Sequence, residues 1–163
     1  MPLFLFLLVH LLGLGSPQPR ATVYVFLAET CPISQAATLP LRELHSRYAG
    51  QGVRFVGVFP DKEASPASLR SFAQTYQLPF VLQADPGQRL TRRLRARVTP
   101  EAVVVAADGR RVLYQGRLDD SFARLGQRRT VVQHHELADA LAAVMAGNPV
   151  AVPRTDAVGC FIE

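Results

Sequence analysis

Two cysteines are the residues of this chain most able to do covalent chemistry, and the first stands in a favourable place. Cys31 lies three residues after a run of apolar, β-branched and aromatic residues and just before a long stretch with helical periodicity. Free amides at the start of a helix stabilise a thiolate, which is the nucleophilic form of cysteine. The alternative is a buried cysteine that only fills space, but reactive groups collect at the ends of parallel strands.

The residues next to Cys31 support this interpretation. Thr30 precedes it, and Pro32 suits the first position of a helix because its missing N–H costs nothing there. The Ser34 hydroxyl is placed to donate a hydrogen bond to the sulfur. We therefore expect Thr30, Pro32 and Ser34 to support a reactive thiolate.

A second motif, Thr99-Pro100, stands directly before another apolar run. Proline cannot donate a hydrogen bond to a sheet. A cis bond at this point would leave the backbone groups of Thr99 free to pair with an extended incoming chain. An ordinary trans proline that opens a strand is the alternative.

Hydrophobic periodicity predicts an α/β architecture. We predict strands at 22–28, 53–59, 80–82, 102–106 and 111–115, and helices at 33–48, 65–76, 88–94 and 135–145. Asp108-Gly109 predicts a two-residue hairpin turn, 116–133 is predicted to be a loop, and 147–163 a flexible tail. This order predicts a mixed sheet, parallel at first and closed by an antiparallel hairpin, with helices on both faces.

The composition excludes several classes of protein. The chain has 163 residues, of which 48% are hydrophobic and 19% charged, so it is not disordered throughout. Two cysteines are too few for a disulfide-built miniprotein or a four-thiolate zinc site. No apolar run reaches the roughly 18 to 20 residues of a membrane-spanning helix.

The first twenty residues predict a signal peptide. Residues 1–15 carry no charged side chain, and a small, turn-forming segment follows them. We predict a signal peptide at 1–20, a domain at 21–146 and a tail at 147–163; an uncleaved anchor or a buried first element is the alternative. Export would place both cysteines in an oxidising compartment, with no stable membrane span after cleavage.

Arginines supply almost all of the positive charge, because Lys62 is the one lysine and the net charge is +5. They cluster at 89–97 and 124–129. We interpret the first cluster as the solvated face of a short helix, with a phosphate-binding patch as the alternative. We expect no nucleic-acid partner, because no aromatic residue is interleaved for base stacking. His134-His135-Glu136 lacks a companion motif for metal binding, so we expect neither a metal nor a cofactor.

Several segments resemble known redox proteins. FLAETCPIS at 26–34 resembles the active-site segment of thioredoxins, and VTPEA at 98–102 resembles their Thr-Pro loop. The resemblance is closer to the redoxin, or peroxiredoxin-like (AhpC/TSA-related), group of thioredoxin-fold proteins. It is carried by residues 31–34, 52–58, 99–102, 116–120 and 159–162. The resemblance covers roughly 21–163 and implies a thioredoxin-like three-layer sandwich.

The resemblance also implies roles for particular residues. Cys31 takes the place of the attacking cysteine, and Pro100 that of the cis-proline beside it. Ser34 stands where thioredoxins carry their second cysteine, so no local disulfide can form. Tyr24 and Ala28 fill the proline and threonine places of the peroxiredoxin pattern, so peroxide reduction by that machinery is not supported.

Cys160 is the second sulfur, in a glycine-preceded segment close to the end of the chain. The tail could return to the active-site end, where Cys160 would attack a mixed disulfide on Cys31 and release the reduced partner. A permanent Cys31–Cys160 clip, an intermolecular bridge and a free thiol are the other possibilities.

These observations together predict an exported thiol-disulfide oxidoreductase that uses Cys31, with Cys160 or an external thiol completing the cycle. The expected partners are proteins or small molecules that carry a thiol or a disulfide. One rival hypothesis is a one-cysteine thiol peroxidase. The other is a binding module without catalysis, in which a Cys31–Cys160 disulfide is only structural.

Overall fold

The computed structural model describes residues 19–163 and contains a five-stranded central sheet. The strands are β1 (Ala21–Phe26), β2 (Val53–Phe59), β3 (Val81–Ala84), β4 (Val98–Thr99), β5 (Glu101–Ala106), β6 (Val112–Gly116), β7 (Phe122–Arg124), β8 (Gln127–Arg128) and β9 (Cys160–Phe161). The sheet order is β3-β2-β1-β5-β6, with β1, β2 and β3 parallel to one another and the β1–β5 and β5–β6 pairs antiparallel. The predicted mixed sheet is confirmed.

Within residues 19–163, four α-helices connect the strands. They are α1 (Pro32–Tyr48), α2 (Pro66–Tyr76), α3 (Arg89–Leu94) and α4 (Glu136–Met145). The start of α2 lies where the sequence predicts it, because Ser65 caps the helix. The Ser65 hydroxyl accepts a hydrogen bond from the amide of Ser68, and the Ser68 hydroxyl accepts one from the amide of Ser65. This reciprocal cap satisfies two amides that would otherwise have no partner at the helix end.

Helices cover both faces of the sheet, as predicted. On one face, apolar side chains of α1, α2 and α4 pack against the sheet, among them Leu41, Phe72 and Leu141. On the other face, Leu94 of α3 packs against Val103 and its neighbours. Burying each such side chain stabilises the fold by about 1.5–3 kcal/mol, so the sheet is a rigid support for the loops at its ends.

The hairpin between β5 and β6 differs from the predicted two-residue turn. The amide of Ala106 donates to the carbonyl of Arg111, so residues 107–110 form a longer loop. The Asp108 carboxylate accepts hydrogen bonds from the amides of Arg110 and Arg111. The loop contains a β-turn, in which the amide of Gly109 donates to the carbonyl of Ala106, and the Asp108 side chain satisfies two further backbone donors.

Two other segments are more ordered than the sequence indicates. The predicted loop 116–133 contains the short hairpin formed by β7 and β8. The predicted flexible tail is held by backbone hydrogen bonds: Gln115 donates to Pro153, Thr155 donates to Gln115, and Ile162 donates to Arg97. The tail therefore returns across the sheet end and places β9 against β4.

The predicted signal peptide lies almost entirely outside the described residues, which begin at residue 19. Between residues 19 and 163, no helix combines the length and apolar character needed to cross a membrane.

Asp85 anchors the short helix α3 to the end of β3. Its carboxylate accepts hydrogen bonds from the amides of Arg89 and Thr91 and from the Thr91 hydroxyl, at 2.8–2.9 Å. Burial by itself would raise the pKa of the Asp85 carboxyl, but the hydrogen bonds from this helix turn outweigh it and lower the pKa. The ionised carboxylate is therefore the stabilising form.

We expect Asp85→Ala to lower the free energy of unfolding by about 2 kcal/mol at neutral pH, because it leaves buried donors unpaired. The pKa is lower in the folded state, so the contribution is present above the unfolded value of about 3.9 and is lost as pH falls through the folded value. Urea unfolding at several pH values measures the difference from wild type. Asp156→Ala, at an exposed carboxylate, is the control. A loss of stability that grows as pH falls below the unfolded pKa value would contradict this account.

Candidate active site

Cys31 is the N-cap residue of α1, at the end of the chain segment that follows β1. Its φ and ψ of −83° and 115° are extended, and its carbonyl accepts the first helical hydrogen bond, from the amide of Gln35 at 3.0 Å. Pro32 occupies the first helical position. The position predicted for Cys31 is thus confirmed, although its side chain makes no capping hydrogen bond to the first-turn amides of α1.

The structure joins Cys31 to Cys160 by a disulfide. Their Cα atoms are 6.3 Å apart, within the range that a disulfide spans without backbone movement. Of the possibilities left open by the sequence, the tail-to-helix pairing is the one observed. Within residues 19–163 no cysteine is left free.

The tail reaches Cys31 by pairing with the Thr99-Pro100 turn. This peptide bond is cis, and β9 lies antiparallel to β4 with Cys160 opposite Thr99. The Thr99 hydroxyl donates to the carbonyl of Cys160 at 3.4 Å, and the Thr99 carbonyl oxygen lies 3.3 Å from the Cys31 sulfur. The backbone expected to receive an incoming chain is therefore occupied by the protein's own tail.

The two sulfur-bearing residues differ in exposure. Cys31 is 2% exposed and packs with Ala28 and Ile33. Phe122 and the tail residues Val158 and Cys160 complete this cluster, and all three are only partly buried. Tail residues thus supply part of the cover over Cys31, and Cys160 is the more exposed of the two residues.

Ser34 and Thr30, the two hydroxyl residues next to Cys31, differ in burial and in hydrogen bonding. Ser34 is completely buried, and its hydroxyl accepts a hydrogen bond from the amide of Ala28 at 3.2 Å. It therefore fixes the loop before Cys31, and within the described residues it makes no hydrogen bond to either sulfur, contrary to the expectation. Thr30 is exposed in the turn before Cys31.

Acidic residues border the loop on the side of Glu29. The Glu29 carboxylate accepts a hydrogen bond from the Ser68 hydroxyl at 2.8 Å. Burial, together with the charges of Glu63 and Glu29, raises the pKa of Asp61. The carboxylates of Glu29, Asp61 and Glu63 therefore lie close together on this side of the loop.

A cleft of about 250 Å³ lies next to the disulfide, and its lining includes Ile33, Pro40, Pro100, Phe122 and Val158. Its polar rim includes Arg117, whose guanidinium is hydrogen-bonded to the carboxylate of Glu136. The cleft is suited to an apolar side chain of a bound partner.

The acidic residues 119 and 120 do not pair with Arg117. Asp119 accepts hydrogen bonds from Ser121, and Asp120 accepts them from the amides of Gln133 and His134.

No group of three or more potential metal-binding side chains occurs among residues 19–163.

The AhpC/TSA family model matches residues 16–114, which include both Cys31 and the cis-proline turn. The chain belongs to the AhpC/TSA family. Cys160 of this AhpC/TSA protein lies beyond the matched residues, so the family match covers Cys31 but not the tail that pairs with it. Among curated proteins, none matches the sequence.

Solved structures confirm the thioredoxin-like fold of this AhpC/TSA protein. An uncharacterised conserved protein from Geobacillus kaustophilus is 27% identical, with a TM-score of 0.77 over 88% of this chain and 77% of that one. A hypothetical protein from Sinorhizobium meliloti 1021 is 24% identical, with a TM-score of 0.76 over 89% and 80%. A secreted Mycobacterium tuberculosis disulfide oxidoreductase homologous to E. coli DsbE is 24% identical, with a TM-score of 0.55 over 77% and 83%.

The residues that hold the tail of this AhpC/TSA protein were not predicted individually. The Tyr114 hydroxyl donates to the carbonyl of Arg117 at 2.6 Å and lies 2.8 Å from the Thr155 hydroxyl. Burial is the main cause that raises the pKa of Tyr114 to about 12, so it remains a hydrogen-bond donor. Gly116 has a φ of +154°, and a Cβ there would lie 2.9 Å from the Thr155 amide.

Gly159 permits the close approach of the tail to the cis-proline turn. A Cβ at this position would lie 2.6 Å from the carbonyl carbon of Thr99 and 3.0 Å from the nitrogen of Pro100. We therefore expect Gly159→Ala to weaken the docked tail by about 1–3 kcal/mol. That loss raises the midpoint potential of the disulfide by about 20–65 mV, measured in thiol redox buffers.

Gly50→Ala is the matched control, because a Cβ at residue 50 would meet nothing within 4 Å. We expect it to leave the midpoint potential unchanged. Equal potentials for the two variants would show that the approach of Gly159 to Thr99 does not hold the tail in place.

Proposed function

We propose that this AhpC/TSA protein is an exported thiol-disulfide oxidoreductase whose redox couple is Cys31 and Cys160. The observation that carries the proposal is a disulfide between the N-cap cysteine of α1 and a tail docked on the cis-proline turn. A disulfide that only holds the tail in place gains nothing from a helix N-terminus, whereas a thiolate leaving group is stabilised there.

In the reductive half of the cycle, an external thiolate attacks the sulfur of Cys160, which is the more exposed of the two residues. A bond forms between the external sulfur and Cys160, and the Cys31–Cys160 bond breaks. Its electron pair remains on Cys31 as a thiolate, which the first-turn amides of α1 stabilise. A second external thiolate then displaces Cys160 as a thiolate and leaves with the first as a disulfide. Two thiols are oxidised and one protein disulfide is reduced.

In the oxidative half, the Cys31 thiolate attacks one sulfur of a target disulfide. A mixed disulfide forms on Cys31, and the other target sulfur leaves as a thiolate that takes a proton from water. Cys160 then attacks the Cys31 sulfur, so the second target sulfur is released and the original disulfide is restored. The target leaves as a dithiol, and the same steps in reverse would oxidise a dithiol.

Supporting residues orient this chemistry without exchanging electrons. Pro32 opens the helix that carries Cys31, and buried Ser34 holds the preceding loop through the amide of Ala28. Thr99 offers its backbone alternately to the tail and to an extended target segment, with Pro100 keeping the turn in place. Thr30, exposed beside the cysteine, borders the path of the target.

The proposed partners are proteins or small molecules that carry a thiol or a disulfide. The proposed location is outside the cytoplasm, and it rests on the signal-peptide pattern of residues 1–20. One structural neighbour, from Mycobacterium tuberculosis, is described as a secreted disulfide oxidoreductase, and its likeness to this chain supports the same fold.

The test is the midpoint potential of the Cys31–Cys160 pair, measured by thiol alkylation in glutathione buffers of graded potential. We expect a reversible two-electron transition between about −120 and −270 mV, the range of exchange proteins. A disulfide that stays intact below about −300 mV would overturn the proposal in favour of a structural clip.

A further inference from the structure

Five arginines from separate parts of the chain converge on one groove beside Cys160. The groove has a volume of about 840 Å³, and β9 and the adjoining tail form one of its walls. Its cationic residues, called the arginine groove below, are Arg92, Arg95, Arg97, Arg124 and Arg154. The sequence pattern indicated only a solvated helix face, because it does not show that the β7 strand and the tail bring two more arginines to the same place.

The positive charge of the arginine groove is not neutralised within the protein. All five arginines are exposed. The ion pairs found among residues 19–163 involve two other arginines, Arg117 and Arg129. Arg92 donates a hydrogen bond to the carbonyl of Gly87, and Arg154 donates one to the side chain of Gln115. Among the described residues, the guanidinium groups of Arg95, Arg97 and Arg124 have no such partner, so they can bind carboxylates through two parallel hydrogen bonds.

The carboxylates in the groove leave an excess of positive charge. Glu101 is 5% exposed, and its two oxygens accept hydrogen bonds from the amide of Arg97 and the side chain of Gln115. Asp156 is the exposed carboxylate of the groove lining. Glu163 adjoins the groove, because its carbonyl accepts a hydrogen bond from the side chain of Gln88, a lining residue. Five arginines thus face three carboxylates, so the charge that a partner meets is positive, in contrast to the acidic residues around Glu29.

We infer that the arginine groove binds an acidic, extended segment of the protein that exchanges thiols with Cys160. This inference rests on the proposed function and adds the partner's charge to it. The groove includes Phe161, which is 77% exposed and adjoins Cys160. A peptide lying in the groove therefore brings its own cysteine to the more accessible sulfur. A nucleic acid matches the charge but carries no thiol, so the observations favour an acidic polypeptide.

The exchange step follows the cycle given above. The thiolate of the acidic peptide attacks Cys160, a peptide–Cys160 disulfide forms, and the Cys31 thiolate leaves. A second peptide thiolate completes the reduction and the peptide is released as a disulfide dimer. Attraction between the groove and the peptide raises the encounter rate and the local thiol concentration, so it accelerates the first attack.

The experiment compares synthetic peptides with one cysteine each, flanked by acidic, neutral or basic residues, as reductants of the oxidised full chain. At low ionic strength we expect the acidic peptide to react at least about tenfold faster than the neutral one, after correction for thiol pKa. This advantage should disappear at roughly 1 M salt, where charges are screened within about 3 Å. The basic peptide should be slowest.

The double variant Arg97→Gln/Arg124→Gln tests whether the groove supplies the attraction. These side chains make no hydrogen bonds or ion pairs among the described residues, so their loss should leave the fold intact. We expect the acidic-to-neutral rate ratio to fall at least about threefold. Arg54→Gln/Arg110→Gln removes the same charge at exposed positions outside the groove and should leave the ratio unchanged.

The outcomes separate this inference from the proposed function. Equal rates for acidic and neutral peptides, with both reducing the disulfide, would overturn the groove inference alone. A disulfide that none of the peptides reduces would overturn the proposed function. Arginine-dependent binding of a single-stranded oligonucleotide, with no comparable binding of the acidic peptide, would show that the groove serves a different class of partner.

Discussion

Replacing Cys31 with serine should abolish disulfide exchange, lowering the rate of target reduction by at least about a thousandfold. A serine hydroxyl is not ionised at neutral pH, and it cannot form the mixed disulfide through which the proposed cycle passes. The measurement is a single-turnover reaction of the reduced protein with an excess of a disulfide-bonded peptide. Mass spectrometry of the quenched reaction identifies the cysteine that carries the peptide.

Cys160→Ser is the matched control for this prediction. It keeps Cys31 but removes the resolving sulfur, so we expect rapid formation of a peptide adduct on Cys31 that is not resolved. A Cys31→Ser variant that retains more than a tenth of the wild-type rate would mean that Cys160 or another group performs the first attack.

Reducing the disulfide should lower the free energy of unfolding by up to about 5 kcal/mol. The disulfide joins residues 129 apart, and closing so long a loop removes much conformational entropy from the unfolded chain. Chemical denaturation with and without a dithiol measures this change.

The double variant Cys31→Ser/Cys160→Ser provides the comparison. Its stability should match that of the reduced wild type, and added dithiol should have no effect on it. A change smaller than about 1 kcal/mol on reduction would show that the unfolded chain is already compact, or that backbone contacts alone hold the tail.

Much of the fold follows from local patterns in the sequence. Strand β1 is a continuous apolar and β-branched run, and α1 carries apolar residues at three- and four-residue steps, so both elements are predictable. Pro32 marks the first turn of α1, and this places Cys31 at the N-cap. The Thr99-Pro100 turn is similarly visible as a proline directly before an apolar strand.

The features that depend on contacts between distant segments could not be predicted. Strand β9 is only two residues long and has no periodicity of its own, so its pairing with β4 is set by the approach of Gly159 to Thr99. The Ser34 hydroxyl accepts a hydrogen bond from the Ala28 amide instead of donating one to the Cys31 sulfur, because the buried Ala28 amide needs a partner. The arginine groove likewise assembles only when the tail returns.

The central claim is that the N-terminus of α1 activates the sulfur of Cys31 once the tail has left. The most direct test is the pH dependence of iodoacetamide alkylation of Cys31 in the Cys160→Ser variant, followed by mass spectrometry. We predict rapid alkylation at neutral pH with a midpoint at least about one unit below the ordinary thiol pKa of about 8.5. A midpoint at or above that value, with no alkylation at neutral pH, would contradict the claim and leave Cys31 as a structural cysteine.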